Sequence, residues 1–282
     1  MRYLYLTVLL CLCASVTAQT AFMRLTEEPA RDLAAAQGTF VIIDFYANWC
    51  GPCKTMDDQV WSQDTVQALQ RNFVNIRVDA STSNAGLLKY GIKAIPALIV
   101  LDANGNEYFR KVGYMKDIEV ISLLNKFPAD MSKAYASDYV VREQPDAFNS
   151  YFLQARHYQA AARTARGSIA GRLAATSSDA IKEAQEVLKQ NSSTPASLTE
   201  RLALMNAENL LLRGRAKKAL KAIAALGEEL DERNMAHACY VKGMAYRKSG
   251  QVELAQDCYD QLQEAQDNEA FLALVAAAWE ER

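Results

Sequence analysis

The amino-acid sequence predicts an α/β domain followed by an all-α domain of helical hairpins. Residues 40–47 form a continuous run of apolar, β-branched and aromatic residues, as expected of a central strand that is buried on both faces. Further strand-like runs alternate with helical patterns up to residue 128, which is typical of an α/β domain. Past Pro128 the strand pattern disappears, and alanine, leucine, glutamate, glutamine and arginine dominate, which indicates helices.

The bulk composition is that of a globular protein. The chain has 282 residues, of which 50% are hydrophobic and 23% charged. It can therefore bury a sizeable core, and its length suggests about two domains. The formal net charge is −2, with acidic and basic residues mixed along the chain. We therefore expect no nucleic-acid partner and no attraction to an anionic membrane surface.

The first eighteen residues differ from the rest of the chain. Arg2 supplies a basic start, residues 4–13 are nearly all apolar, and Val16-Thr17-Ala18 fits a small-residue cleavage site. This pattern predicts a signal peptide over residues 1–18. A membrane anchor is the alternative, but the apolar stretch is shorter than the roughly 20 residues that span a bilayer. We expect an exported protein of the periplasm or cell envelope, or a secreted one, without stable membrane insertion.

The α/β domain is predicted over residues 19–128. Gly38 lies just past the end of its first helix, and the dipeptide Asn104-Gly105 indicates a hairpin between the last two strands. The predicted elements are, in order, helix Glu27–Gln37, strand 40–47, helix 53–70, strand Phe73–Asp79, helix Asn84–Tyr90, strand Ala97–Leu101, strand Glu107–Val112 and helix 116–127.

An internal repeat marks the second domain, which is predicted over residues 146–282 after a linker at 129–145. Gly214 and Gly250 lie 36 residues apart, as do Ala219 and Ala255. A helical pair within residues 146–189 is a candidate third copy. One helical hairpin cannot bury its own apolar face, so we expect the copies to stack.

The second copy of the repeat resembles the tetratricopeptide motif. It reads Gly243-x-x-Tyr246-x-x-x-Gly250-x-x-x-x-Ala255-x-x-x-Tyr259, with small residues where two antiparallel helices touch. The tryptophan position of that motif is Cys239 here, and the terminal proline is absent. Cys239 and Cys258 fall on adjacent helices about one turn out of register, which favours two separate buried thiols over a disulfide.

Cys50 and Cys53 carry the predicted chemistry. They follow a buried strand and begin a helix, where unpaired N–H groups and the helix dipole stabilise a thiolate. A spacing of three places both sulfurs on one helical face, close enough for a disulfide. Pro52 fits the first helical turn, and Gly51 leaves room for a substrate. We predict that Cys50 attacks a substrate disulfide and that Cys53 resolves the mixed disulfide.

Two other uses of the cysteine pair are less well supported by the sequence. A zinc site needs four ligands, yet after the predicted signal peptide, which contains Cys11 and Cys13, the chain has a single close cysteine pair, and its two histidines, His157 and His237, lack paired spacing. We therefore expect neither a metal nor another cofactor. A static disulfide is the second alternative, because export permits disulfides to persist.

The segment Asp44-Phe-Tyr-Ala-Asn-Trp-Cys-Gly-Pro-Cys-Lys54 closely resembles the active-site segment of the thioredoxin family. Ile95-Pro96 falls at the position of the family's cis-proline, and Gly113 matches its glycine after the final strand. The resemblance covers about residues 22–127. It implies a thioredoxin fold and thiol-disulfide oxidoreductase activity, and the residues after Cys53 look like those of exported domains that relay electrons in the bacterial envelope.

The same resemblance implies roles for two further residues. Pro96 would be cis and would hold the preceding carbonyl where a substrate peptide can pair with it as an added strand. Asp44 would be a buried carboxyl of raised pKa that accepts the proton of Cys53. An ordinary strand-edge proline and a solvated aspartate are the alternatives.

Several residues around Cys50 are candidates for contact with substrate. Trp49, Ile95, Pro96 and Tyr114 would form an apolar rim suited to an extended, cysteine-bearing segment. The predicted substrate-binding residues are Trp49, Gly51, Pro52, Ile95 and Gly113.

Two departures from the family concern the surroundings of Asp44 and Trp49. If Asp79 anchors the alignment, Asn75 stands where thioredoxins place a lysine near the buried aspartate, and Asn48 replaces an acidic residue. No other charged residue lies in the strand of Asp44. The sequence therefore leaves the redox potential open.

The predicted function is reduction or exchange of disulfides in cysteine-containing exported proteins, with electrons from a membrane donor or a thioredoxin-type donor. The Gly-Pro pair between the cysteines and the isoleucine before Pro96 resemble reducing thioredoxins. A disulfide oxidase or isomerase is one alternative. The other is a binding module or holdase, in which the helical repeats recognise a protein partner.

Overall fold

The structure is a computed structural model that describes residues 22–190, 195–227 and 229–280. The predicted signal peptide, residues 1–18, lies outside these ranges. Within them, no helix combines the length and the apolar character needed to cross a membrane.

A five-stranded sheet forms the centre of the α/β part, in the order β1-β3-β2-β4-β5. The strands β1, β2 and β3 are parallel, whereas β4 is antiparallel to both β2 and β5. Strands β3, β4 and β5 have the predicted bounds, and β2 is one residue shorter. The short β1 was not predicted. The strands are β1 Phe22–Met23, β2 Phe40–Tyr46, β3 Phe73–Asp79, β4 Ala97–Leu101 and β5 Glu107–Val112.

Both faces of the sheet are covered by helices. Val41, Ile43 and Phe45 of β2 pack on the face of α1 and α4, whereas Phe40 and Ile42 pack on the face of α2, α3 and α5. This alternation explains why β2 is apolar along its whole length. The helices of this part are α1 Glu27–Gln37, α2 Gly51–Met56 with a π-helical turn at Asp57–Trp61, α3 Asp64–Gln70, α4 Asn84–Tyr90 and α5 Asp117–Leu124.

The predicted helix 53–70 is divided into two. The π-helical turn ends at Trp61, and Gln63 has an extended backbone before α3 begins. The turn carries Val60 and Trp61 into the core, where Trp61 meets the ring of Phe22 edge-on. The sequence pattern predicted one continuous helix, and burial of the Trp61 indole accounts for the break.

The segment 129–145, predicted as a linker, contains the helix α6, Ser132–Glu143. Its start packs so closely on the end of α1 that a Cβ atom on Gly38 would lie 2.7 Å from both Asp130 Oδ1 and Ser132 N. Met131 and Tyr135 are buried there. The structure differs from the prediction because these apolar side chains bind the segment to the sheet, so it does not form a free connection.

Hydrogen bonds join the α/β part to the helices that follow. Tyr135 Oη donates to Thr39 O at 2.9 Å and accepts from Ala103 N at 3.3 Å. The carboxylate of Asp138 accepts from Asn104 Nδ2 at 2.6 Å and from Tyr158 Oη at 2.7 Å. One apolar cluster runs without a break from Phe40 in β2 to Ala174 in helix α8, Gly167–Lys189. The sheet, α6, α7 (Phe148–Thr164) and α8 therefore share a core.

This junction lies at the end of the sheet opposite the cysteines. Val41 pairs with Leu101 and Phe45 with Ala97, so the β4–β5 turn lies beside the beginning of β2. Cys50 follows the other end of β2. A seven-residue strand is about 20 Å long, so this junction and the cysteines are separated by about that length of the sheet.

Consecutive helices form the second part of the chain. Helix α11 begins 36 residues after α9, and both have 17 residues; α12 likewise begins 36 residues after α10. The structure therefore repeats with the predicted period, while the tetratricopeptide resemblance stays a prediction. Cys239 and Cys258 are separate buried thiols, as predicted. The helices are α7 Phe148–Thr164, α8 Gly167–Lys189, α9 Ala196–Leu212, α10 Ala216–Ala224, α11 Glu232–Lys248, α12 Val252–Glu264 and α13 Glu269–Glu280.

We predict that Tyr135→Phe lowers the free energy of unfolding by about 1–3 kcal/mol, because it leaves a buried carbonyl of Thr39 without its donor. The matched control is Tyr139→Phe, one turn further along α6, whose side chain is 58% exposed and should tolerate the change. Urea unfolding of both variants measures the difference. Equal midpoints for the two variants would show that the junction is not held by this bond.

Candidate active site

The sulfur atoms of Cys50 and Cys53 are bonded to each other, with 5.2 Å between the Cα atoms. Cys50 caps the N-terminus of α2, and Cys53 N donates to Cys50 Sγ at 3.2 Å. The turn before the helix is closed by a bond from Cys50 N to Ala47 O at 3.0 Å. This placement confirms that the first sulfur lies at a helix N-terminus, where N–H groups stabilise a thiolate.

The disulfide is buried beneath an exposed surface. Cys50 is 4% exposed and Cys53 is 2% exposed, so in the disulfide form the two sulfurs differ little in access. Trp49 is 71% exposed and donates from Nε1 to Ser81 Oγ at 3.0 Å. Gly51 and Pro52 are exposed, and a Cβ atom on Gly51 would meet nothing within 4 Å. A substrate can therefore approach over Gly51.

The Ile95–Pro96 peptide bond is cis, as the family resemblance implies. Ile95 packs against the small apolar cluster that contains both cysteines. Pro96 O accepts a hydrogen bond from Gly113 N at 2.7 Å. The φ angle of Gly113 is 96°, which favours glycine at this position. The predicted residues Ile95, Pro96 and Gly113 therefore lie together on the cysteine side of β4 and β5, although their contact with substrate stays a prediction.

Asp44 is buried within the sheet, with 2% of its surface exposed, so it is not a solvated aspartate. By the alternation of side chains along β2, it faces the same side as Ile42, the side that α2 covers. Burial raises the pKa of this carboxyl from its ordinary value to about 6, although the guanidinium of Arg77 opposes the rise. A carboxyl with such a pKa can both take up and release a proton near neutral pH.

Arg77 is the charged partner of Asp44, and the sequence analysis did not identify it. Its Nε and Nη2 atoms lie 2.9 and 2.7 Å from Asp44 Oδ2, and Nη2 also binds the carboxylate of Asp57. Asn75, which falls at the family's lysine position if Asp79 anchors the alignment, donates to the carbonyls of Gln70 and Phe73. Asp44 has no charged neighbour in its own strand, as the sequence indicates, and its charged partner lies on the adjacent strand β3.

The register of the sheet explains this pairing. β2 and β3 are parallel and pair from their first residues, Phe40 and Phe73, so the fifth residues, Asp44 and Arg77, lie opposite each other. The predicted bounds of these two strands, paired in register from their first residues, would have identified Arg77 as the partner of Asp44. An alignment anchored on Asp79 points to Asn75 instead.

Two aromatic rings hold the guanidinium of Arg77 in place. Its Cζ atom lies 4.6 Å from the ring centroid of Phe22 and 4.5 Å from that of Tyr46. A cation between two ring faces is attracted by both. The unpredicted strand β1 thus supplies one wall of the Arg77 site.

Comparisons with known proteins agree with this geometry. Residues 28–128 match the model of a family described as a thioredoxin-like domain. The chain is 33% identical over 103 residues to the thiol:disulfide interchange protein DsbD of Yersinia pestis, a match that covers 34% of this chain and 17% of that protein. It is 35% identical over 85 residues to thioredoxin of Mycoplasma genitalium, covering 30% of this chain and 79% of that protein.

A solved structure is also similar, the C-terminal domain of Neisseria meningitidis DsbD in the reduced form. The match has 28% identity, covers 34% of this chain and 90% of that chain, and has a TM-score of 0.31. The family model ends at residue 128 and does not extend over the helical part.

We predict that Asp44→Asn changes the pH dependence of stability. The folded-state pKa of Asp44 is raised above its unfolded value, so the wild type loses stability as the pH rises from about 4 to about 7. The asparagine variant does not show this loss, so its free energy of unfolding should increase relative to that of the wild type by about 2 kcal/mol between pH 4 and pH 7.

Urea unfolding of the disulfide form at several pH values tests this prediction. Asp58→Asn is the control, because Asp58 is exposed on the helical turn that precedes Trp61 and should follow the wild-type profile. Parallel profiles for the wild type and Asp44→Asn would contradict the assignment of a raised pKa to Asp44.

Proposed function

Because the chain belongs to the thioredoxin family, we propose that it is a thiol-disulfide oxidoreductase that reduces or exchanges disulfides in cysteine-containing exported proteins. The observation that carries the proposal is the Cys50–Cys53 disulfide at the N-terminus of α2. The cis Ile95–Pro96 bond and the buried carboxyl of Asp44 accompany it on the same part of the sheet.

In the proposed reduction, the Cys50 thiolate attacks one sulfur of a client disulfide. The client S–S bond breaks, its second sulfur leaves as a thiolate that takes up a proton, and a mixed disulfide forms with Cys50. Cys53 then loses its proton, attacks Cys50 Sγ and releases the first client sulfur as a thiolate. Two electrons pass to the client, and the Cys50–Cys53 disulfide is formed.

The residues around the cysteines suit these steps. The N-terminus of α2 stabilises the Cys50 thiolate. Asp44 is the proposed acceptor of the Cys53 proton, and its raised pKa makes it a more effective base than an ordinary aspartate near neutral pH. Arg77 keeps this carboxyl anchored and limits the rise of its pKa, because its charge favours the ionised form.

The proposed client lies in an extended conformation over the exposed surface. Trp49, next to Cys50, and Tyr114, which follows Gly113, are 71% and 36% exposed and offer apolar area for such a client. The backbone of Ile95, before the cis bond, can pair with a client segment as an added strand. An extended segment is available in unfolded or flexible clients, which favours such proteins as substrates.

We propose the periplasm or cell envelope as the site of action, with a membrane or thioredoxin-type dithiol as electron donor. Supporting features are the signal-peptide pattern of residues 1–18 and the similarity to proteins named thiol:disulfide interchange protein. The chain spans 17% of the length of those relatives. We therefore propose the electron donor and the clients from the dithiol chemistry of the cysteine pair, and not from what those relatives do. Gly51 and Pro52, which lie between the cysteines, resemble the pair found in reducing thioredoxins and favour reduction over oxidation.

We expect Cys50→Ala to abolish reduction of insulin disulfides by a dithiol, because the variant lacks the attacking sulfur. Cys53→Ala should instead accumulate a mixed disulfide between Cys50 and insulin, which non-reducing electrophoresis detects. Cys258→Ala, which removes a buried thiol of the helical part, is the control and should retain turnover. Full activity of Cys50→Ala would exclude the mechanism.

The direction of electron flow is tested by equilibrating the Cys50–Cys53 pair with glutathione or dithiol buffers. We expect a reduction potential closer to about −270 mV, the thioredoxin value, than to about −120 mV, the value of a strong oxidant. A value near the oxidising end would assign the protein to disulfide formation or isomerisation.

A further inference from the structure

We propose that a basic surface of the helical part binds the phosphate groups of anionic phospholipids and so holds the chain against a membrane. The inference rests on the proposed location in the cell envelope, which supplies the lipid. The surface combines the first half of α8, the turn between α9 and α10, and the exposed side of α10. We call it the basic surface and define it by six cationic residues: Arg172, Arg213, Arg215, Lys217, Lys218 and Lys221.

The positive charge of the basic surface is concentrated in a short part of the sequence. Residues 209–227 contain five basic residues and no acidic residue, and residues 167–178 of α8 contain Arg172 and no acidic residue. A solvated protein surface more often carries both signs interspersed. The net charge of −2 predicts no attraction to an anionic membrane, but it does not describe how the charges are distributed once the helices pack.

Three arginines of the basic surface meet at one cavity with a volume of about 480 Å³. Arg172 comes from α8, whereas Arg213 and Arg215 come from the turn between α9 and α10. None of the described residues that line the cavity is acidic, and the others are small: Gly167, Ser168, Gly171 and Ala175. Guanidinium groups match the geometry of phosphate oxygens. The cavity can therefore receive a phosphate group between side chains of two separate elements.

The cations of the basic surface are not compensated within the described part of the chain, where none of the six side chains forms a salt bridge. Arg172 Nη1 donates to the backbone carbonyl of Glu107 at 2.9 Å, which orients the side chain and leaves its charge in place. The carboxylate of Glu107 is paired with Arg110 instead. The positive charge is therefore available to a ligand.

The lysines of the basic surface form one exposed face of α10. Lys217 and Lys218 lie four and three residues before Lys221, so the three side chains are neighbours on the helix, and all three are exposed. Ala219 and Ile223 are buried on the opposite side. Because Arg215 directly precedes α10, this row of charges begins beside the arginine cavity.

The composition of the basic surface favours a lipid membrane over other anionic partners. Lysine is depleted in protein–protein interfaces, whose centres are apolar and aromatic. Between residues 209 and 227, all of which the structure describes, no large apolar side chain is exposed. A single free phosphate would occupy the cavity and leave the lysines unmatched. A membrane presents many phosphate groups in one plane and attracts each basic residue near it.

The basic surface is separate from the cysteines. Arg172 binds the carbonyl of Glu107, the first residue of β5, which pairs with Leu101 at the end of β4. Pro96 of the cysteine site precedes the other end of β4. Lipid binding therefore does not depend on disulfide exchange, and the two activities can be measured separately.

The test measures binding to lipid vesicles by flotation over a series of lipid concentrations. It uses the exported form, residues 19–282, because an uncleaved signal peptide would itself enter the vesicles. We expect the protein to bind vesicles of phosphatidylcholine mixed with phosphatidylglycerol and not to bind vesicles of phosphatidylcholine alone. Salt should release the protein, because it screens interactions between exposed charges.

The double variant Lys217→Gln with Lys221→Gln should weaken binding to the phosphatidylglycerol vesicles about 25-fold, or roughly fivefold for each residue. Glutamine and lysine have similar helix propensities, so α10 should be retained. The matched control is Lys133→Gln with Lys182→Gln, which changes the net charge equally at exposed lysines outside the basic surface. The control should bind as the wild type does.

Turnover of insulin should be unchanged in both double variants. Loss of vesicle binding with normal turnover would concern the basic surface alone, whereas loss of turnover with normal vesicle binding would concern the redox proposal alone. Calorimetry with polyglutamate and with inorganic phosphate distinguishes the other sources of negative charge.

Three results would overturn the assignment to a lipid surface. The first is equal binding to vesicles with and without phosphatidylglycerol. The second is an equal loss of affinity in the two double variants. The third is binding of polyglutamate or inorganic phosphate without binding to the phosphatidylglycerol vesicles, which would assign the basic surface to an acidic protein or to a soluble phosphate.

Discussion

The ion pair between Asp44 and Arg77 is the interaction on which the candidate site depends. A lone carboxylate inside a sheet loses its hydration and is strongly destabilised, so it persists only with a partner or as a neutral acid. Here the partner is a guanidinium that is itself held between the rings of Phe22 and Tyr46 and tied to Asp57. Burial and pairing act in opposite directions on the carboxyl, and their balance leaves Asp44 able to exchange a proton near neutral pH.

Much of the α/β part was predictable because its signals are local. A fully apolar run such as β2, glycine at the end of α1 and an Asn-Gly turn each depend on neighbouring residues in the sequence. The features that escaped prediction depend on residues far apart. β1 has only two residues, and it is held in place by the contact of Phe22 with Trp61. The segment of α6 was predicted as a linker because its hydrogen-bond partners, Gly38 and Thr39, lie almost a hundred residues earlier in the sequence.

The candidate site shows the same division. The cysteines, Asp44 and the cis-proline were recognisable because they sit in a short motif or at fixed distances from it. Arg77 was missed because a partner across a sheet is identified by register, and a family alignment assigned its role to a position two residues earlier.

The shared core between the sheet and helices α6 to α8 has a consequence for the order of events during biosynthesis. A ribosome makes the chain from its N-terminus, so the cysteine pair exists before the residues of α7 and α8 that complete the apolar cluster around Phe40. During this interval the far side of the sheet is exposed while the two thiols are already present. Both sulfurs lie within one turn of α2, so their disulfide needs no residue of α7 or α8, whereas closure of the apolar cluster needs both helices.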